Sequence, residues 1–235
     1  IMVIGNGMLA TKFVTYLNCQ KFLIFASGVS NSKEVRSSEF QREFELLKTT
    51  IQKYPALHLV YFSTCSMYDP EEQGSEYVLH KIKLENYIKK HVQLYSIFRI
   101  SQIIAIAKNQ TLINFLINSI EHNLPFDVWK RATRNLVAID DVFAIINYML
   151  QNELANNKTI NLANQFSISI FDLIAIIEKR LNLKANMIIL DKGKPYEKIL
   201  IDDISSILDI LDINFDTRYY ERAIEQLFVA RLKAC

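Results

Sequence analysis

The sequence predicts an α/β domain, a parallel sheet with helices on both faces. Three observations point there. Apolar runs of strand length alternate with stretches of helix length through residues 1–182, the pattern of βα units that share one parallel sheet. The strand-like runs are dense in Val, Ile, Leu, Phe and Tyr, as strands buried on both faces should be. The first run passes directly into a glycine-containing turn and then a helix, the strand–turn–helix order in which such units begin.

Taken in order, strands are predicted at 1–4, 21–26, 57–63, 94–100 and 159–163. Helices are predicted at 8–18, 38–53, 75–91, 111–122, 140–151 and 169–182. Asp140 and Ser169 supply N-terminal acceptors for the last two. Beyond residue 183 the pattern changes. Met187–Leu190 and Lys198–Ile201 read as short strands, and Ile204–Leu211 and Arg218–Leu232 as amphipathic helices.

Composition narrows the function classes. The chain has 235 residues, 50% hydrophobic and 22% charged, which suits one globular domain with a large core. A net charge of +2 with the basic residues dispersed gives no nucleic-acid footprint. No apolar run reaches the roughly 18 residues of a membrane span. The first strand begins at once, which leaves no signal-peptide pattern. Cys19, Cys65 and Cys235 are far apart and odd in number, reading as free thiols of a cytoplasmic protein. His58, His80, His91 and His122 show no metal-ligand spacing, so no metal site is expected.

Two motifs carry chemistry. The first is Gly5-Asn6-Gly7-Met8-Leu9-Ala10. Gly5 permits a tight turn, Gly7 lets the backbone approach a pyrophosphate, and small Ala10 lets helix pack on strand. Amides at the start of the helix would meet the phosphates. An ordinary tight βα turn is the plainer alternative. The second motif is Tyr77-Val-Leu-His-Lys81, thirteen residues after Thr64. Four residues of helix put Tyr77 and Lys81 on one face. An ammonium there favours the phenolate, so Tyr77 can act as general acid/base on a substrate hydroxyl. Thr64 would hold the same oxygen. His80 is expected to point away. The plainer alternative is a solvated helix face.

With these motifs in this order the chain resembles the extended short-chain dehydrogenase/reductase family, in particular its NAD-dependent sugar-nucleotide epimerases, dehydratases and reductases. Phe98-Arg99-Ile100, Thr133-Arg-Asn-Leu-Val-Ala-Ile-Asp-Asp-Val142 and Thr159-Ile-Asn-Leu-Ala163 resemble later family segments. The resemblance implies a Rossmann-like sheet over 1–108 and 135–168, with a small C-terminal substrate cap from 109–134 and 169–235. It implies NAD or NADP held by Gly5, Gly7, Met8, Leu9, Ala26, Ser27, Ser63, Tyr77, Lys81, Ile100 and Gln102. It implies a nucleotide-sugar substrate against Thr64, Gln102, Asn109, Thr111, Trp129 and Arg134, with Tyr196 and Arg218 as weaker cap contacts. For Trp129 a core plug under the cap is the slightly favoured alternative, and for Arg134 a salt bridge to Asp140 or Asp141 is an equal one.

The chain also departs from the family. Only 72 residues separate Gly5 from Tyr77, room for two strands where the family has four. Lys21–Gly28 therefore reads as the family's fourth strand, and the second and third, on the adenosine side, are missing. No Asp or Glu precedes Glu34, so the acid that would bind a ribose 2′-hydroxyl is absent. Ser27, Lys33 or Arg36 would meet a 2′-phosphate instead. The loop Asp69–Glu76 is short, which should open the substrate mouth. Cys65 and Ser66 follow Thr64, where the resemblance would put an Asp-Glu pair in a dehydratase. Cys65 reads as a small buried thiol. Epimerisation or ketone reduction remains, in surface-polysaccharide synthesis, with homodimers through helices 38–53 and 75–91. The alternatives are a non-catalytic or regulatory relative with weak dinucleotide binding, and an interaction subunit.

Overall fold

The computed structural model describes residues 2–106 and 111–234. In chain order its elements are β1 (Val3–Ile4), α1 (Met8–Lys12), a 3-10 turn at Val14–Tyr16, β2 (Phe22–Phe25), α2 (Ser37–Lys53), β3 (His58–Thr64), α3 (Glu76–His91), β4 (Tyr95–Ile100), β5 (Gln102–Ile104), α4 (Leu112–Glu121), β6 (Phe126–Trp129), β7 (Thr133–Arg134), β8 (Leu136–Ala138), α5 (Ile139–Gln151), β9 (Lys158–Leu162), β10 (Ile168–Ser169), α6 (Ile170–Leu181), β11 (Met187–Leu190), α7 (Asp202–Ile210) and α8 (Tyr219–Ala234).

A five-stranded sheet in the order β1-β2-β3-β4-β9 forms the centre, and every pairing in it is parallel. Alternate residues along each strand face opposite sides, and both sides are buried. Phe22, Ile24, Val60, Phe62, Phe98 and Ile100 face α1 and α5, through Ala10, Phe13 and Ile145. Leu23, Phe25, Leu59, Tyr61 and Ile97 face α2 and α3, through Leu47, Leu84 and Ile88. This two-sided demand is why the strands read as apolar without alternation.

Among the described residues β1 has a partner on one side only, β2. In the doubly wound order 3-2-1-4-5-6, removing strands 2 and 3 leaves 1-4-5-6, the order seen here. The steps β1→β2, β2→β3 and β3→β4 run in one direction across the sheet. Yet α1 lies on the face opposite α2 and α3, so its crossover has the opposite hand. Parallel crossovers are right-handed in about 98% of cases, which makes β1–α1–β2 the left-handed one. A helix packed on the face that would serve a strand on the other side of β1 has that hand.

The predicted helix 8–18 is interrupted. The α-helical part ends at Lys12, and Val14–Tyr16 continues as a 3-10 turn. Phe13, fully buried, anchors the break, with ring centroids 5.2 Å from Phe62 and 5.1 Å from Phe143. Lys198–Ile201 is not a strand. Its backbone runs over the ends of the sheet strands, where Ile199 packs with Cys65 and Ala163 and the Leu200 carbonyl accepts from Asn161. The short pairs β5–β8, β6–β11 and β7–β10 were not predicted individually, apart from Met187–Leu190. The cap helices α4, α6, α7 and α8 share one continuous apolar cluster with the sheet, from Val3 to Phe228. No helix among the described residues is long and apolar enough to cross a membrane.

Candidate active site

The glycine loop follows β1 at the sheet edge. Gly5 has φ +127°, and a Cβ there would stand 2.4 Å from the Ala26 carbonyl oxygen, so only glycine lets β1 pass β2 so closely. Gly7 caps α1 with φ −79°, and nothing lies within 4 Å of where its Cβ would be. Nothing among the described residues crowds Gly7. A cleft of about 910 Å³ opens there, lined by Asn6, Gly7 and Met8, by Ile104–Ile106 and Ala138–Asp140, and by one side of α8 through Ala223, Gln226 and Leu227. Its size suits a cofactor or small ligand. Lys12 and Asp140 form an ion pair on its rim. Of the residues predicted to hold a dinucleotide, Gly7 and Met8 line this cleft, whereas Ala26, Ser27 and the acid–base set do not.

The acid–base set sits on the other side of the sheet. Ser75 caps α3 by accepting from the Val78 amide. This starts the helix so that Tyr77, Lys81 and Glu85 turn inward, and all three are buried. The solvated-face alternative therefore does not hold. Tyr77 packs on Val29 and Val78, and the Lys81 Nζ lies 5.7 Å from its ring centroid. Among the described residues the Tyr77 hydroxyl makes no hydrogen bond. Thr64 ends β3. Its Oγ1 accepts from the Ser66 amide and donates to Ser66 Oγ, both at 2.9 Å, so Ser66, unforeseen in the sequence, carries the next hydroxyl. Ser63 Oγ is turned away and donates to Glu85 at 2.7 Å. Glu85 also takes a two-pronged contact from Arg99, at 2.9 and 2.6 Å.

His80 does not point away. Its Nε2 lies 3.1 Å from Glu43 Oε2, and Lys81 Nζ lies 2.8 Å from Glu43 Oε1. Glu43 is wholly buried on α2. Burial alone would raise its pKa, but the Lys81 charge, the His80 and Lys81 hydrogen bonds and the Val29 amide outweigh it and hold Glu43 at about 2. The signal was an acid among the apolar positions Phe40, Phe44 and Leu47 of one helix.

At the end of β3, Tyr196 donates its hydroxyl to the Cys65 carbonyl at 3.2 Å, and its amide donates to Thr133 Oγ1 at 2.7 Å. Burial pushes the Tyr196 phenol up, with Asp69 and Cys65 adding and Arg134 opposing, so these groups lie close together. The Glu197 amide bonds to the Tyr68 carbonyl. The short 69–76 loop is thus covered by the 196–197 segment rather than left open, and Asp69 and Glu72 are buried. Arg134 donates to the Thr133 carbonyl at 2.8 Å. It does not pair with Asp140 or Asp141, which are taken by Lys12 and by the Tyr219 hydroxyl. Ile100 is buried at the end of β4, and the buried Gln102 Oε1 has no hydrogen-bond partner among the described residues.

The remaining predicted residues are dispersed. Trp129 ends β6, half-buried. Thr111 caps α4. Arg218 is exposed and near Glu221. Asn109 and Cys235 lie outside the described residues. Lys33 and Arg36 are already paired, with Glu72 and Glu34. Leu9 packs half-buried against the main apolar cluster, and Ala26 and Ser27 are half-buried beside Gly5. Burial pushes the Cys65 thiol up, and its Sγ donates to the Arg99 carbonyl, as fits an inert thiol.

Solved structures resemble this fold. A UDP-N-acetylglucosamine 4-epimerase from Bacillus cereus matches with a TM-score of 0.65 and 18% identity, over 88% of this chain and 76% of its own. A dTDP-4-dehydrorhamnose reductase from Bacillus anthracis in complex with NADP gives 0.66 and 16%, over 88% and 79%. A dTDP-glucose 4,6-dehydratase from Bacillus anthracis in complex with NAD gives 0.65 and 13%, over 86% and 70%. No curated protein sequence matches. The model of the NAD dependent epimerase/dehydratase family matches residues 26–163, more than half of the chain and all of the acid–base set, and the chain belongs to that family.

Proposed function

We propose that the protein is an NAD(P)-dependent epimerase or ketoreductase acting on a nucleotide sugar. The observation that carries this reading is a buried Tyr77 whose hydroxyl has no hydrogen-bond partner among the described residues, one helical turn from a buried Lys81. A phenol so placed serves a substrate oxygen better than it serves the fold. The residues present fit the pyrophosphate and nicotinamide half of a dinucleotide. Gly5 and Gly7 keep the backbone approachable, the cleft is open beside them, and Ala26 and Ser27 follow β2. When bound, nicotinamide supplies hydride acceptance and return.

The chain supplies the rest. Tyr77 moves the proton at the substrate hydroxyl or carbonyl oxygen. Thr64, through Ser66, orients that oxygen, and Lys81 keeps positive charge beside the phenol. Arg134, whose fork has no carboxylate partner among the described residues, contacts the nucleotide diphosphate. Gln102 Oε1 accepts from the ligand. Cys65 and Ser66 offer no acid for elimination, which favours epimerisation or reduction over dehydration. On this reading 1–108 and 135–168 hold the cofactor, and 109–134 with 169–235 hold the sugar. The enzyme works in the cytoplasm, in surface-polysaccharide synthesis, as a dimer through 38–53 and 75–91. Light scattering checks the dimer.

The test is calorimetry with NAD, NADH, NADP and NADPH, followed by turnover assays with UDP- and dTDP-sugars. Micromolar binding of one form and turnover abolished in Tyr77→Phe are expected. A second reading, a non-catalytic relative, is favoured by the single-sided β1 and the paired Lys33 and Arg36. Absence of binding at millimolar dinucleotide would select it.

A further inference from the structure

We propose that Glu43 is the positioning residue for Lys81, holding its ammonium against the Gly28 backbone, next to the Ala26–Ser27 stretch that the dinucleotide reading gives to the cofactor. The inference rests on the dinucleotide reading above.

Glu43 is tied from three elements. It accepts the Val29 amide at 2.8 Å, the Tyr61 hydroxyl of β3 at 2.9 Å, and Lys81 and His80 of α3 at 2.8 and 3.1 Å. A carboxylate with this many fixed donors cannot swing, so the ammonium it grips is fixed with it. A buried ion pair is a weak device for stability, since apolar residues of similar volume often serve as well. Placement of a charge is what the pair achieves and apolar packing cannot.

Gly28 completes the arrangement. A Cβ there would stand 2.7 Å from Lys81 Nζ and 2.8 Å from Glu43 Oε1, so the missing side chain is the space the pair occupies. Gly28 follows Ala26 and Ser27 directly. An ammonium has three protons to donate. Glu43 takes one and the Tyr61 hydroxyl, at 3.3 Å, another. The third has no acceptor among the described residues and is left for a ligand hydroxyl.

The experiment uses the full chain with Glu43→Gln, Gly28→Ala, Lys81→Met and the Glu43→Gln/Lys81→Met double variant. Gly28→Ala keeps both charges and crowds the Lys81 ammonium and the Glu43 carboxylate apart, so it carries the test if Glu43→Gln fails to fold. The first readout is acetylation by an N-hydroxysuccinimide ester, followed by peptide mass spectrometry, with exposed Lys83 as the internal reference. Lys81 modification should rise at least tenfold relative to Lys83 in both single variants. An unchanged ratio overturns the proposal, whatever the cofactor does. The second readout is NADH and NADPH affinity. Glu43→Gln should weaken binding at least tenfold in the wild-type background and leave it unchanged in the Lys81→Met background. Equal weakening in both backgrounds means that Glu43 acts on the fold and not through Lys81, and overturns the proposal. If the wild type binds neither dinucleotide, the functional reading fails, and the labelling ratio alone decides the role of Glu43.

Discussion

The Tyr77–Lys81 end of the site is made of side chains, whereas the glycine-loop end is made of backbone shape. At the first, two wholly buried carboxylates, Glu43 and Glu85, grip Lys81 and Arg99 across the face shared by α2, α3 and the sheet. At the second, a strand of two residues and an α-helix of five carry Gly5 and Gly7 at the sheet edge. None of the charge network touches β1. A chain can therefore lose the strands beyond β1 and keep the Tyr77–Lys81 end intact, because β1 reaches this face through the apolar packing of Ile4 and not through the charge network. The hand of the β1–α1–β2 crossover is the trace that such a loss would leave.

The largest effect should come from one atom at the side-chain end. Tyr77→Phe removes a hydroxyl with no partner among the described residues, so melting temperature should hold while turnover on a nucleotide sugar falls about 10²–10⁴-fold. Turnover within threefold of wild type would remove Tyr77 from the mechanism. Next in size, Glu43→Gln leaves a buried ammonium without its counter-charge, which typically costs about 3–5 kcal/mol in denaturant unfolding. The pH dependence has a definite sign. The folded pKa of Glu43, about 2, lies below its usual 4.5, so its contribution is complete above pH 4.5 and is lost as pH falls toward 2. The acid limb of the wild-type stability curve should be steeper there than that of Glu43→Gln. Parallel curves would mean that the carboxylate is not the titrating group.

The sheet was legible because burial on both faces forces unbroken apolar runs, and all five central strands lie where such runs are. The shared helix face of Tyr77 and Lys81 and the Ser169 cap were legible from spacing alone. Glu43 was missed because it acts through residues distant in sequence, and no local pattern encodes that it meets Lys81. Nor does one encode that the Tyr196 hydroxyl, expected only as a weaker cap contact, meets the Cys65 carbonyl. Ser66 lies two residues from Thr64, but nothing in the sequence shows that their hydroxyls pair. The break at Phe13 was missed because the apolar spacing continues through it, while packing against Phe62 and Phe143 sets the backbone. Lys198–Ile201 looked like a strand because Ile199 is apolar for another purpose, covering Cys65.

At the glycine-loop end, Gly5→Ala should cost about 1–3 kcal/mol in backbone strain alone, since φ is +127°, with the contact to the Ala26 carbonyl added. Stability equal to wild type would mean that β1 can shift away from β2. Ser75→Ala, which removes the cap of the helix carrying Tyr77, should cost about 1 kcal/mol. A loss below about 0.3 kcal/mol would show water substituting for the Ser75 hydroxyl.

The smallest stability change, and the one most diagnostic of the backbone-built end, belongs to Gly7→Ala. Its φ of −79° suits any residue, and nothing stands within 4 Å of the added methyl group. Alanine there should leave unfolding free energy unchanged or raise it by about 0.4–1 kcal/mol, because the unfolded chain loses freedom. The fold thus has no use for glycine at this position, in contrast to Gly5, where it has every use. If a pyrophosphate approaches this backbone, the methyl group stands in its path, and dinucleotide affinity should fall at least tenfold by calorimetry while the melting temperature stays level or rises. Unchanged affinity with unchanged stability would make the loop an ordinary βα turn, leaving the side-chain end as the whole of the site.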